Sequence, residues 1–433
     1  MTRNHERKSY FRRAVVIARI LIGLSVCAFV WNSHSVHAQS NEVYEQMKLI
    51  SEVYSHVEKD YIEPSEAEEI IRGACEGMVG KLDDFSQFMP PDTHKRMRED
   101  TEGEFGGLGI RIGMRDGILT VITPLPGTPA YRLGILPGDK IVKIEGESSE
   151  GITLNEALDK LRGKPGTKVT ISIQREGEKE LLDFTITREK IQIQTVYSEM
   201  LQEKIGYVHL TEFNEQTPGE FQRAWQELTK QGMEALVLDL RNNPGGLLTS
   251  AVEVCRSMIG DNRLIVYTQG RDPRQTVKFF ADSKPKNSVI PMVVLVNKGS
   301  ASGSEIVAGC IKDWKRGVLV GEKTFGKGSV QSVFSLSGGS GLRLTTARYY
   351  TPSGTCIDKI GIEPNIVVDV SRELAVKIMQ QEEKIYKISP EEKAKQEEEK
   401  VEDPQLKRAL DILTAHQIFA GTPEEAENAT KQE

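Results

Sequence analysis

Apolar residues along this chain change their spacing three times. Over residues 41–58, Val43, Met47, Ile50, Val53, Tyr54 and Val57 recur every three or four positions, and residues 65–82 repeat the pattern. That periodicity predicts two short amphipathic helices, with Pro90-Pro91 expected to end the region. From Gly103 the runs become short and punctuated by glycine: residues 109–113, 118–123, 140–144, 168–175 and 183–187 read as strands. Two helices are expected among them, at 129–133 and 155–162. About 90 residues with five or six short strands make a small β-rich module.

Beyond residue 190 strands and helices alternate. Strands are expected at 205–210, 235–240, 292–296 and 318–320, with helices at 218–231, 249–258 and 302–314. An α/β core follows from that alternation. Past Val370 the chain is rich in Glu, Lys and Gln, with Pro390 and Pro404 as interruptions, which predicts solvated helices and a frayed end.

Composition narrows the function classes. A chain of 433 residues holds two or three domains, and a net charge of -7 with no basic face after residue 40 argues against nucleic acid as a partner. The five cysteines, Cys27, Cys75, Cys255, Cys310 and Cys356, lie far apart without a Cys-x-x-Cys pair, so no zinc site is expected and disulfides are left open. Residues 1–38 have the three parts of an export signal: basic Arg7 to Arg13, an apolar stretch to Trp31 interrupted by Arg19, and Val36-His37-Ala38 before Gln39. Cleavage after Ala38 is expected; retention as a membrane anchor is the competing reading, since the stretch approaches the ~20 residues that span a bilayer.

Three segments carry chemistry. Residues 236–240 form a buried-strand run leading into Arg241-Asn242-Asn243-Pro244-Gly245-Gly246 and then a helix. Paired glycines at a helix mouth allow a tight turn with amides facing outward, as an oxyanion site requires. A second apolar run, 293–297, leads into a cluster holding Ser300, Ser302 and Ser304. Serine at neutral pH needs an adjacent base to become a nucleophile, and none of the seven histidines lies near this segment. Lysine is the natural substitute. Lys327, between Gly326 and Gly328, becomes a base if burial disfavours its ammonium form. Gln331 would point to the same side and hold the amine. The bland alternative is that Ser302 and Glu305, spaced Ser-x-x-Glu, form only a capping box.

The run from Leu238 to Gly246, the serine cluster 300–305, the stretch Gly321 to Gly328 with Gln331, and the stretch Leu344 to Gly354 together resemble the carboxy-terminal processing proteases, tail-specific serine proteases with an embedded PDZ domain. The match runs over roughly residues 43–413. It implies a multidomain α/β protein: a crotonase-like α/β serine protease core with an inserted β-rich PDZ domain and helical N- and C-terminal segments. The expected boundaries are 1–38 for the signal, 39–98 for the N-terminal helical region, 99–190 for PDZ, 191–370 for the core and 371–433 for the charged C-terminal region.

By motif position the resemblance implies Ser302 as nucleophile, Lys327 as general base and Gln331 as the residue orienting it. Oxyanion donors become Gly303 and either Gly245 or Gly246. Gly303 stands where alanine commonly follows the serine, and Gly354-Thr355-Cys356-Ile357 and Pro364-Asn365 also depart from the family pattern. The Gly106-Gly107-Leu108-Gly109-Ile110 stretch resembles a PDZ carboxylate-binding loop, Ile110 and Ile112 the apolar pocket beside it, and Leu136-Pro137-Gly138-Asp139 the hallmark turn. Arg162 is singled out as a residue coupling that module to the core.

The function implied is an exported endopeptidase, in the periplasm or on the outer face of the cytoplasmic membrane, that captures apolar, unstructured C-terminal tails of proteins or peptides. It needs no cofactor and no metal. Membrane association through the N-terminus and self-assembly stay open. The rival from another class is a PDZ-bearing adaptor or chaperone without catalysis; an acyl-CoA enzyme, the third possibility, is opposed by the embedded module.

Overall fold

A computed structural model describes residues 43–115, 117–125, 127–387 and 401–420. The expected signal and Cys27 lie outside them. No helix among the described residues is long and apolar enough to cross a membrane. The chain divides into two units, up to Asp83 and from Asp84 onward. In the first, residues 43–60 and Ala67–Val79 are helical, as their periodicity predicts, and Met47, Ile50 and Val53 are exposed.

A six-stranded sheet organises the second unit. Its order is Val196–Met200, Ile205–Leu210, Ala235–Asp239, Met292–Val296, Val318–Gly321 and Ile366–Val367; the first pair is antiparallel and the remaining pairs are parallel. The middle strands read as unbroken apolar runs because both faces are covered. Alternation assigns the faces. Leu236, Leu238, Val294 and Val296 pack with helices Thr217–Lys230, Leu248–Met258 and Gly303–Asp313, whereas Ala235, Val237, Val293 and Leu295 pack with Ala409 and Leu413 of helix Pro404–Ala420.

That second covering corrects the expectation of solvated helices past Val370. The surrounding charge masks Leu406, Ala409, Leu410 and Leu413, whose spacing gives helix Pro404–Ala420 an apolar stripe. Leu413 is 2% exposed. Leu413→Ala is expected to cost about 2–5 kcal/mol in urea unfolding. A loss below about 1 kcal/mol would mean that the helix is not seated on the sheet.

Other elements escaped the pattern. Pro91 starts helix Pro91–Glu102 instead of ending the region, because proline suits the first helical turn, where no amide partner is needed. A second sheet joins Gln87–Met89, Gly341–Tyr350, Leu264–Gly270 and Val277–Phe280, with Ser329–Ser335, which the alternation over residues 331–336 does predict, pairing Gly341–Tyr350. Its other strands are only partly apolar, so their periodicity is weak.

The β-rich module is a sheet ordered Ile110–Arg115, Ile118–Pro124, Lys140–Ile144, Lys168–Gln174 and Leu182–Thr187, with Glu147–Ser148 beside Lys140–Ile144. Helices Pro129–Arg132 and Leu154–Leu161 complete it, the latter begun by a Thr153/Glu156 capping box. Glu104–Gly107 pairs antiparallel with Glu189–Gln192, so the chain enters and leaves the module through one two-stranded ladder. Strand Ile110–Arg115 terminates the module's sheet, and among the described residues its outer edge is unpaired.

Candidate active site

Three loops at the ends of core strands meet around Ser302. The serine caps helix Gly303–Asp313 with φ 51° and ψ -108°, a conformation costing a residue with a Cβ about 1–3 kcal/mol. Surrounding bonds hold it there. The Ala301 amide donates to Asn243 O at 3.0 Å and the Ser302 amide to Glu305 Oε2 at 2.9 Å. The neighbouring serines are already committed, since Ser300 Oγ donates to Leu240 O at 2.8 Å and Ser304 Oγ to Asn243 O at 3.0 Å, both residues fully buried. Ser302, 5% exposed, is the least buried of the three serines. Its hydroxyl shares a hydrogen bond with Tyr349, whose phenol pKa burial pushes up to about 12 against that bond.

The glycine turn abuts the serine. A Cβ at Gly245 (φ 97°) would lie 2.7 Å from Ser302 Cβ and 2.8 Å from the Gly303 amide nitrogen, so only glycine fits. Asn243 shapes the turn: its Oδ1 accepts the Gly245 amide at 2.9 Å, and its Nδ2 donates to Leu210 O at 2.8 Å. The Gly245 amide is thereby occupied. Gly246 and Gly303 have no amide acceptor among the described residues. A Cβ at Gly303 would stand 3.0 Å from the Phe213 ring, which accounts for glycine where the resemblance leads one to expect alanine.

Lys327 follows a turn pressed against another segment, Gly326 (φ 90°) lying close to the Ile360 and Gly361 amides. Its Nζ sits 4.9 Å from the centroid of the Phe85 ring. Burial first and the Arg343 guanidinium second pull its pKa below the ordinary lysine value, with Glu305 opposing. Gln331 differs from expectation. Its Nε2 donates to Ser329 Oγ at 2.9 Å and Thr345 Oγ1 at 3.4 Å, partners on its own strand and the neighbouring one.

Glu305 joins the serine and lysine loops. This fully buried carboxylate accepts Ser302 N and Lys327 N (both 2.9 Å) on Oε2, and Gly326 N (2.7 Å) and Thr324 Oγ1 (2.6 Å) on Oε1. Burial pushes its pKa up and the four donors pull it back. A capping box accounts for one of those bonds; the other three come from residues far along the chain, which local spacing does not show.

In the β-rich module, Gly109 (φ 74°) packs on Thr128, its carbonyl accepting Thr128 Oγ1 at 3.0 Å, while Leu108 O accepts the Ala130 amide at 3.0 Å. Gly107 belongs to the entry ladder, Leu108 is core, and Ile110 and Ile112 are half-buried against that core. Arg162 stacks 4.2 Å from the Phe105 ring centroid and faces Glu99 and Asp100 at 3.5 Å. No group of three or more His, Cys, Asp or Glu suited to a metal occurs among the described residues.

Comparison with known proteins gives the lineage. Peptidase family S41 matches residues 204–368, a PDZ domain residues 120–175, and the activating protease CtpB N-terminal domain residues 28–93. The chain is 38% identical over 361 residues to the carboxy-terminal-processing protease of Bartonella bacilliformis, across 82% of this chain and 83% of that one. It is 36% identical over 326 residues to the carboxy-terminal processing protease CtpB of Bacillus subtilis, across 74% and 68% respectively. A solved photosystem II D1 C-terminal processing protease is 36% identical over 73% of this chain and 85% of that one, with a TM-score of 0.45. Identity of that extent, spread over both the peptidase and the PDZ segments, shows that the chain belongs to the carboxy-terminal processing proteases, serine-type peptidases of family S41 with a PDZ domain.

Proposed function

We propose that the protein is an exported endopeptidase that captures the apolar, unstructured C-terminus of a protein and cleaves it with a Ser302–Lys327 dyad. One observation carries this reading: of three clustered serines, two spend their hydroxyls on backbone carbonyls, and the third is joined through Glu305 to the lysine loop.

Neutral Lys327 takes the Ser302 proton as Oγ bonds to the substrate carbonyl carbon. The Gly246 and Gly303 amides receive the oxyanion, Gly245 being engaged with Asn243. Collapse breaks the C–N bond, and the Lys327 ammonium returns its proton to the leaving amine. Water then attacks the acyl-enzyme, giving its proton to Lys327, which passes it back to Ser302 as the ester opens. Before the first step Lys327 must leave the Phe85 ring and Ser302 must leave Tyr349. Gln331 holds the role of orienting Lys327 on its motif position alone.

The unpaired edge of strand Ile110–Arg115 suits an incoming tail, which would add a strand with its carboxylate at Gly107–Gly109 and its last side chain over Ile110 and Ile112. Arg162 would couple that capture to the core, a role supported by its contacts with Phe105 and with Glu99 and Asp100 of helix Pro91–Glu102.

The test uses the chain from Gln39 onward with a fluorophosphonate and with an unfolded protein ending in apolar residues. Expected are an adduct on Ser302 and cleavage that slows when the substrate's C-terminus is amidated. An adduct on another residue would overturn the dyad. Neither adduct nor cleavage would favour the adaptor.

The dyad also fixes a pH response. A cation near Lys327 lowers its pKa, so the neutral base appears at lower pH. Arg343→Gln is therefore expected to move the acidic limb of the kcat/KM profile to higher pH, and Arg343→Lys to leave it near wild type. An unmoved limb in the glutamine variant would rule out Lys327 as the titrating base.

A further inference from the structure

Arg241 lies between the core strand Ala235–Asp239 and the glycine turn. Its guanidinium, nearly fully buried, donates Nε to Asp239 Oδ1 and Oδ2 at 3.0 and 2.9 Å and Nη2 to Oδ2 at 2.6 Å. Asp239 also accepts the Tyr207 hydroxyl at 2.8 Å. Nη1 goes elsewhere. It donates to Asp403 Oδ2 at 2.7 Å and to Gln405 Oε1 at 3.2 Å, more than 160 residues along the chain.

Both partners are themselves fixed. Asp403 Oδ1 accepts the Gln405 and Leu406 amides at 3.0 and 3.1 Å, capping helix Pro404–Ala420 with one oxygen while the other holds Arg241. Gln405 Nε2 donates to Val368 O at 2.8 Å. On the other side, Asn242 exchanges bonds with Asn297, its amide to Oδ1 and its Oδ1 from Nδ2, both at 2.9 Å, and Asn243 carries the Gly245 and Ala301 contacts. A short, continuous covalent path thus runs from the Arg241 side chain to the Gly246 amide.

We propose that Asp403 and Gln405 are positioning residues for the oxyanion site: the start of the C-terminal helix fixes Arg241, and Arg241 sets the pitch of the turn presenting the Gly246 amide. This rests on the assignment of Gly246 and Gly303 as oxyanion donors. Releasing that end of the helix slackens the donor without removing any group that touches substrate. Asp403→Asn isolates the effect, because asparagine caps a helix as well as aspartate does and Asp239 still neutralises the buried guanidinium. The charged contact to Nη1 is lost and the asparagine Nδ2 opposes Nη1, so the thermal midpoint falls, while Gln405 Oε1 still accepts Nη1.

The experiment compares wild type, Asp403→Asn, Asp403→Glu and Gln405→Ala as full chains. It reads kcat and KM on a tailed substrate, the Kd of a peptide boronic acid that bonds to the active serine as a tetrahedral anion, and the thermal midpoint. Expected in Asp403→Asn and Gln405→Ala are a fall in kcat and a weakening of boronate binding by the same factor, about tenfold, with KM near wild type, all read well below the lowered midpoints so that each variant is fully folded. Asp403→Glu should regain part of the loss. Unchanged kcat in both variants, or a loss that only follows the folded fraction, overturns the proposal. Failure of the boronate to bond to Ser302 in wild type would instead sink the dyad assignment, so the two failures are distinguishable.

Discussion

Lys327→Ala and Lys327→Arg are both expected to lower kcat/KM by about 10⁴-fold, the upper range for losing a general base that acts as a unit with its nucleophile. The arginine variant discriminates. It keeps a cation of similar length beside Glu305 and Phe85, but a guanidinium stays protonated in a protein and cannot accept the Ser302 proton. If Lys327 served only to attract substrate or hold the loop, arginine would retain most of the activity. The bond that joins the loop to Glu305 is made by the Lys327 backbone amide and survives both substitutions. The alanine midpoint should stay near wild type, and the arginine midpoint should fall modestly, since burial and Arg343 disfavour a fixed cation there. Arginine activity within tenfold of wild type would defeat the base assignment.

Glu305→Gln is expected to cost about 10²- to 10³-fold in kcat/KM, together with about 2–4 kcal/mol of stability, as buried donors lose their acceptor. Each carboxylate oxygen receives two donors, so whichever way the amide is flipped its NH₂ meets at least one backbone N–H that cannot turn away. Facing Oε2 it opposes both Ser302 N and Lys327 N; facing Oε1 it opposes Gly326 N. Either orientation pushes the lysine loop away from the serine loop. Thr324→Val removes one donor and leaves the carboxylate with three, so it should lose far less activity, although it also orphans the Ile362 amide, which bonds Thr324 Oγ1 at 2.7 Å, and so still costs stability. Paired kinetics and urea unfolding check the prediction, and glutamine activity within fivefold of wild type would mean that Glu305 does not hold the two loops together.

The strands of the parallel core were legible because burial on both faces demands unbroken apolar runs, and Leu236 to Leu238 and Met292 to Val296 supply them. The module's strands were legible through alternation and glycine punctuation. Less visible were Gly341–Tyr350 and its neighbours, half-exposed strands whose pairing partners lie far along the chain. Helix Pro404–Ala420 was misread because the charge-rich residues before it outweigh the apolar stripe of Leu406, Ala409, Leu410 and Leu413 inside it.

At the site, the glycine turn, the serine cluster and the Gly-Lys-Gly loop could be picked out by residue type, since a tight turn, a nucleophile and a buried amine each need particular chemistry in a short stretch. Local spacing could not reveal that Ser300 and Ser304 are occupied, that the Gly245 amide is taken by Asn243, or that Gln331 turns to Ser329 and Thr345. Nor could it show the reach of Glu305, Tyr349 and Asp403. A hydroxyl or carboxylate has the same formula whether its lone pairs are free or filled. Sequence by itself determined which groups are present and the order of elements that bear them, because propensity and periodicity act within a few residues. Which groups meet, and which donors remain open, was decided only when strands distant in the chain were brought side by side, since hydrogen bonds act over about 3 Å of space and take no account of chain separation.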